Sequence, residues 1–401
     1  MTFVPTRAAG LATLDVFVAR AGRHYAETRN FDFGPEDRSN VSMLSPYLRY
    51  RLVTEAEVLA AVRRRHTPAA AEKFIQEVLW RSYWKGWLEL RPTVWTDYLA
   101  EVAALESQSG GWRRDYERAL AGQTGIDCFD AWIGELAEHG YLHNHARMWF
   151  ASIWIFTLRL PWQLGAALFW QQLYDGDPAS NTLSWRWVAG LQTTGKTYLA
   201  RADNIARYTD GRFDPVGLAT AAAAPTAPPS PVPQQLSPTA AQTSGRVGLL
   251  ISEDDLAPET LPVGDGAIAA TACLVGDYGR STAVEAFAAA SLADAGARAR
   301  DLLGASATVL SVAKTAEAGA DEVRDWARAN ELRSLITAYA PIGPGADRLA
   351  LITTALAADD IAVIRLRRNW DTAAWPHAQR GFFAFRERFK PYDPLAAAKG
   401  G

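Results

Sequence analysis

The sequence predicts two unlike parts, an all-helical domain followed by an α/β domain built on a parallel sheet. Three observations carry this. Apolar residues recur at the helical period up to about residue 213, as at Leu11, Leu14, Phe17 and Val18 and again at Phe74, Val78 and Leu79. Residues 214–245 then lose both charge and core-forming side chains, in a run that includes Ala-Ala-Ala-Ala-Pro-Thr-Ala-Pro-Pro-Ser-Pro-Val-Pro. Beyond that run, short β-rich stretches alternate with Ala-rich helical ones, the pattern of a parallel sheet covered by helices.

Taken in order, residues 1–213 read as helices separated by turns that Gly and Pro mark. The segment 214–245 reads as a linker, extended where Pro is dense and reaching at most about 3.1 Å per residue there. It is expected to be solvent-exposed and poorly ordered, because nothing in it fixes it to a surface. In residues 246–391, Val247–Ile251, Thr308–Val312, Leu335–Tyr339 and Ile361–Leu366 read as strands, and Ala283–Leu303 as a helix. Residues 392–401 read as a flexible tail.

Composition sets limits on function. A chain of 401 residues with 49% hydrophobic residues can bury two ordinary cores. The formal charge of -3 argues against blanket attraction to nucleic acid, while leaving room for a local basic groove. Two cysteines far apart, Cys128 and Cys273, form neither a disulfide framework nor an iron-sulfur ligand set, which points to a reducing cytoplasm. Neither a secretory signal nor a bilayer-spanning apolar run is evident, so a cytoplasmic protein without a membrane partner is expected, and a monomer. His143 and His145 are two residues apart and so lie on different faces of a helix, hence no metal site is expected.

The richest stretch is Tyr174-Asp-Gly-Asp-Pro-Ala-Ser-Asn-Thr-Leu-Ser-Trp-Arg-Trp187. It sets two carboxylates, Asp175 and Asp177, and the amide of Asn181 before two indoles, Trp185 and Trp187. Such groups suit a pocket that holds a redox-active ring and stacks on bases, although a turn followed by core aromatics would look the same. Four further blocks precede it: Ser42-Met-Leu-Ser-Pro-Tyr-Leu48, Glu77-Val-Leu-Trp-Arg-Ser-Tyr83, Gly122-Gln-Thr-Gly125 with Asp130, and His143-Asn-His-Ala-Arg-Met148.

In order and spacing these five blocks resemble the DNA photolyase/cryptochrome family. The resemblance implies a photolyase-type helical FAD-binding domain over residues 1–213 and an α/β antenna-like domain over 246–391. The usual family order is the reverse, so it implies a circular permutation, with the tail Gly381–Phe389 expected to run toward residues 1–20. An antenna chromophore is possible by the same analogy and is not identified.

The resemblance also implies roles for residues. Tyr25, Ser42, Leu44 and Ser45 match the phosphate and ribityl end of FAD, Arg81, Asn144 and Arg147 its ring face, Asp175 and Asp177 its ring-side acceptors, and Asn181 the neighbour of the flavin N5. Glu77, Trp80, Met148 and Trp187 match the residues that hold a flipped-out lesion. Trp185 and Trp162 match the first two members of a photoreducing tryptophan chain whose end is either Trp95 or Trp112. The implied activity is light-dependent repair of UV-damaged DNA, in which reduced flavin passes an electron to a cyclobutane pyrimidine dimer. Glu77, Asn181, Trp162 and Trp185 would carry that chemistry. A cryptochrome-like photoreceptor that binds FAD without repair is the alternative, as is a (6-4) photolyase. Histidines stand at the positions of Asn144 and Met148 in eukaryotic-type (6-4) enzymes, which favours cyclobutane dimers. Three departures stand out: Val41 and Met43 replace the usual Thr and Arg of the phosphate loop, Thr157 replaces an aspartate that pairs with the arginine matched by Arg147, and Tyr198–Ile205 does not follow the usual Arg-x-Phe-Asn-Pro ending.

Overall fold

Local capping fixes where several helices begin. Thr54 and Glu57 form a reciprocal capping box, Thr6 accepts a hydrogen bond from Ala9 N, and Asp177 accepts one from Ser180 N. The structure, a computed structural model, describes residues 3–239, 243–263, 267–303, 307–310 and 316–390. The tail expected at 392–401 lies outside these. In the first part the helices are α1 (Arg7–Val18), α2 (Arg23–Thr28), α3 (Ser45–Arg49), α4 (Glu55–Arg65), α5 (Glu72–Glu89) and α6 (Thr93–Ser107). They continue with α7 (Arg113–Leu120), α8 (Asp127–His139), α9 (Asn144–Ser152), α10 (Trp162–Gln172), α11 (Pro178–Val188) and α12 (Ala202–Tyr208). A π-helical turn, Ile153–Thr157, extends α9.

The segment after α12 does not behave as a free linker. It runs extended and is pinned at several points: Ala219 N donates to Thr157 Oγ1 at 3.1 Å, Arg91 Nε to Pro231 O at 3.0 Å, and Gln234 N to Leu90 O at 2.8 Å. Leu218, Ala222 and Leu236 pack on the helical core. The described part of the segment is mostly exposed, as expected, but its course is fixed, because backbone groups, which composition does not reveal, found partners on the helical surface.

The second part contains β1 (Val247–Ser252), β2 (Ile268–Leu274), α13 (Thr282–Leu303), β3 (Ala307–Leu310), α14 (Ala316–Ala329) and β4 (Ser334–Ala338), followed by α15 (Pro344–Ala357), β5 (Ala362–Leu366), α16 (Asn369–Ala374) and α17 (Phe382–Arg388). The strands form a parallel sheet in the order β3-β2-β1-β4-β5. Sequence reasoning missed β2, whose Ile-Ala-Ala-Thr-Ala-Cys-Leu is too poor in β-branched residues to stand out. Both faces of the sheet are covered. Leu249 and Ile251 of β1 join the core shared with the helical domain, while Leu250 points into a second core with Trp326 and Ile352.

The carboxyl ends of the strands face the helical domain, and there a dense set of ion pairs fills the interface. Arg51 pairs with Asp371 at 2.6 Å and Asp255 at 3.3 Å, Arg49 with Glu253 at 3.2 Å, and Arg280 with Glu253 at 2.6 Å. Arg51 adopts φ 52 and is 2% exposed, so a strained backbone is held by buried charge. Glu89 accepts hydrogen bonds from Tyr339 Oη and Ile342 N, yet burial pushes its carboxyl up to about 7. Gly86 belongs here because a Cβ would stand 2.8 Å from the Trp375 backbone. Such pairs pay desolvation on both sides, and removing one partner is far costlier than never having placed the pair.

The last helix also departs from expectation. Residues 381–391 are expected to run toward residues 1–20; in the part described, α17 packs on α5, with Arg386 paired to Glu72 at 2.5 Å, and residue 391 lies outside the described residues. It is α13 that meets α1, where Asp294 accepts from Arg7 N at 3.1 Å. The aromatic face Phe382, Phe385 and Phe389 explains the preference, since α5 presents Trp80 and Tyr83 to it.

Candidate active site

Three helices carry most of the candidate residues, and α11 packs on both α5 and α9. The first turns of α9 and α11 are set by caps. His143 Nδ1 accepts from His145 N at 3.2 Å, and Asp177 caps α11 with Pro178 in the first turn. On α9 the helical spacing then puts Asn144, Arg147 and Met148 on one side, Asn144 exposed and the other two half-buried.

Arg147 grips Asp175 through two parallel bonds of 3.0 and 2.9 Å, and its Nε donates to Leu142 O at 2.9 Å. The two-point geometry fixes the guanidinium plane. Asp175 serves as the carboxylate partner, and the Thr157 hydroxyl accepts from the strap at Ala219.

Asp177 is 3% exposed, and its carboxylate lies 3.5 Å from both Arg81 and Lys85. Burial alone would raise this carboxyl, but Lys85, Arg81 and Arg49 hold it well below the usual carboxylate range. Its oxygens are thus engaged by Ser180 N and the two cations. Arg81 also faces Glu55 at 3.7 Å. Asn181 donates from Nδ2 to Ala166 O at 2.7 Å, which pins the amide by its nitrogen.

At the expected phosphate end, Ser42 Oγ accepts from Leu44 N at 3.3 Å, Leu44 is fully buried, and Ser45 opens α3. Leu44 therefore offers only its backbone to a ligand. Met43, one of the departures, takes φ 55 and packs on the core. Tyr25 is buried edge-on between Phe17 and Phe74, with the Arg29 guanidinium over its ring. Burial and the charge of Glu77 raise its hydroxyl far above the ordinary value, so it remains a neutral donor.

Of the residues expected to hold a lesion, Glu77 is ion-paired with Arg29. Trp80 is half-buried and stacks on Phe382, with ring centroids 3.7 Å apart and planes within 9°. Trp187 is half-buried and stacks on Tyr198 at 5.6 Å. The Trp80–Phe382 stack could not be read from sequence, because the two rings come from distant segments.

Two series of ring contacts run from the residues expected to form a tryptophan relay. The Trp185 ring, 2% exposed, meets Phe169, Trp154 and Phe150 at 5.1, 6.1 and 6.4 Å, and Gly165 is needed to let it in. From Trp154 the series continues to Tyr116 and Trp112, at 5.8 Å for each step. Trp162 belongs to another series, with Tyr98 at 5.7 Å, then Trp95 at 5.4 Å and Trp170 at 6.5 Å. Trp154 lies in the π-helical turn, a distortion frequent at functional sites. Its spacing from Trp185 carries no sequence signal.

His143 and His145 are structural. Burial lowers His143 to about 3, keeping it neutral as an α9 cap, while His145 bonds Asn30 O at 2.9 Å and stacks on Trp149.

The donor set fits the FAD that the resemblance implies. Arg81 Nε and Ser180 Oγ are buried beside Asp177 without a hydrogen-bond partner among the described residues, and a native interior seldom leaves such groups unmatched. Asn144, Arg147 and Asn181 add polar groups that are not sealed in the core.

The profile of the FAD binding domain of DNA photolyase matches residues 74–219. A deoxyribodipyrimidine photo-lyase of Streptomyces griseus is 33% identical over 194 residues, which is 44% of this chain and 41% of the relative. That of Agrobacterium fabrum is 33% identical over 198 residues, 47% of this chain and 39% of the relative. A cryptochrome DASH of Idiomarina loihiensis is 27% identical over 213 residues, 52% of this chain and 46% of the relative. The chain thus spans less than half the length of the curated relatives it matches. Over residues 74–219 the chain is thus similar to the FAD binding domain of DNA photolyase, and over about half its length to deoxyribodipyrimidine photo-lyases and a cryptochrome DASH.

Proposed function

We propose that the protein is a light-dependent DNA repair enzyme that binds UV-damaged DNA and splits cyclobutane pyrimidine dimers. The observation that carries the reading is the joint placement of two half-exposed indoles, Trp80 and Trp187, with Arg81, Arg147 and Asn181 on three packed helices. Reduced FAD, when bound, supplies the electron that opens the cyclobutane ring. The chain's own residues do the rest. Arg81, Asn144, Arg147, Asp175 and Asn181 would hold the ring system, and Tyr25, Ser42, Leu44 and Ser45 the phosphate and ribityl end. Asp177 acts mainly by fixing Arg81 and Lys85. Trp80 and Trp187 stack on the flipped bases, Met148 lies beneath them and Glu77 accepts from a base edge. An aromatic wall of this kind also keeps water from the reacting bases. Trp185 starts the relay that renews the reduced flavin.

The order of domains is, on this reading, a circular permutation of the family's. The parallel sheet docked on the helical domain through its strand ends supports this.

A second reading, a photoreceptor that binds FAD without repairing, is favoured by one observation: Glu77 already has a partner in Arg29. Irradiated oligonucleotide decides between them. Dimers lost under blue light and retained in the dark support repair, and dimers retained in both, with FAD bound, support the receptor.

A further inference from the structure

We propose that Phe382, in the last described helix of the α/β domain, is a positioning residue that backs the Trp80 indole and holds it ready to stack on a base. The inference rests on the reading of Trp80 as a lesion-stacking residue and adds to it a contribution from the second domain.

The geometry is specific. The two rings are nearly parallel, 9° apart, and stacked with centroids at 3.7 Å, so one face of the indole is covered by Phe382. Trp84 and Tyr83 hold the indole from its own helix at 5.3 and 5.5 Å. Trp80 nevertheless remains partly exposed. A ring fixed on one face by a partner that does not move presents the other face without having to be ordered when the ligand arrives, and that ordering is a cost of binding.

The opposite reading makes Phe382 a plug that must leave before a base enters. Burial argues against it. Phe382 is 3% exposed and belongs to one core with Phe385 and Phe389, which pack on Tyr83 and Trp370. Lifting α17 would expose all three rings and break the Arg386–Glu72 pair, so the helix is support and not a lid.

The test uses full-length protein labelled with 5-fluorotryptophan, the Trp80 resonance being identified by its loss in Trp80→Phe. In Phe382→Leu, without DNA, that resonance should shift and broaden. Affinity for an oligonucleotide carrying one cyclobutane dimer should fall about fivefold, the order of one aromatic pair, while undamaged oligonucleotide binds as before. Phe382→Tyr should restore both. Tighter binding of the damaged strand by Phe382→Leu would establish the plug and overturn the proposal, as would an unmoved Trp80 resonance in a variant that melts like the wild type. Wild type that does not discriminate damaged from undamaged strand would instead remove the lesion reading, and the proposal with it.

Discussion

Two regions of this molecule gather polar groups, and they differ in how those groups are paired and exposed. At the carboxyl ends of the sheet, Arg49, Arg51, Arg280 and Arg368 meet Glu253, Asp255 and Asp371 in a closed network of ion pairs, with Arg51 Nε and Asp254 Oδ2 buried there without a hydrogen-bond partner. Around the first turns of α9 and α11, Arg147 and Asp175 are matched, Arg81 Nε and Ser180 Oγ on the packed helices are not, and Asn144 reaches solvent. Closed charge pairing between the domains is architecture, and polar groups on packed helices that still reach solvent leave room for a ligand. An open α/β sheet ordinarily binds ligands outside its strand ends. In this chain the helical domain occupies that place.

The largest test of the contrast is to break the closed region. Arg51→Ala leaves Asp371 buried without its Arg51 pair and takes one of two cations from Glu55 and Asp255, and should cost about 3–5 kcal/mol of stability in denaturant unfolding. If the loss is below about 1 kcal/mol, the interface does not depend on this pairing.

Next in size is the pH dependence of the same interface. Glu89 is raised from 4.5 to about 7 mainly by burial. The folded state therefore holds a proton that the unfolded chain releases between those values. The stability this contributes is present below about 4.5 and is lost as pH rises through about 7, an amount of about 3 kcal/mol. Glu89→Gln should flatten the fall of melting temperature between pH 5 and 8. A variant whose melting temperature falls as steeply as that of the wild type would place the titration elsewhere.

What sequence could reveal follows the same divide. The five blocks place the flavin-side residues on α3, α5, α9 and α11, and the strand runs at Val247, Leu335 and Ile361 mark β1, β4 and β5. Missing from that reading were β2, the fixed course of the strap, the landing of α17 on α5, and the ring neighbours Trp154, Tyr116, Tyr198 and Phe382. Most of these, the strap, the landing of α17, Trp154 beside Trp185 and Phe382 beside Trp80, are contacts between segments far apart in the chain. Periodicity and short motifs report local structure, and such contacts leave no spacing to read.

In the open region the expected effects are smaller. Trp187→Ala should weaken binding of a dimer-containing oligonucleotide by about 1–3 kcal/mol through lost stacking, measured against undamaged strand. FAD content should not change, because Trp187 packs on Tyr198 and not among the residues assigned to the flavin. Release of FAD together with the loss of binding would move Trp187 from the lesion to the cofactor.

The smallest energetic effect separates the two aromatic series. Trp154→Phe keeps a ring between Trp185 and Tyr116 and loses one hydrogen bond, from Trp154 Nε1 to Pro161 O at 2.9 Å, worth about 1 kcal/mol. A phenyl ring is much harder to oxidise than an indole, so the relay should suffer although the packing does not. Photoreduction of oxidised flavin, followed by absorbance under blue light, should slow in Trp154→Phe about as much as in Trp185→Phe. Trp162→Phe should slow it less, since the rings around Trp162 lead through Tyr98 to Trp95 and not directly to Trp185. Repair by chemically reduced protein should be nearly unchanged in all three, which separates the relay from lesion binding. A Trp162→Phe variant as slow as Trp185→Phe, beside an unaffected Trp154→Phe, would return the relay to the Trp162 series and leave Trp154 as a core residue of the π-helical turn.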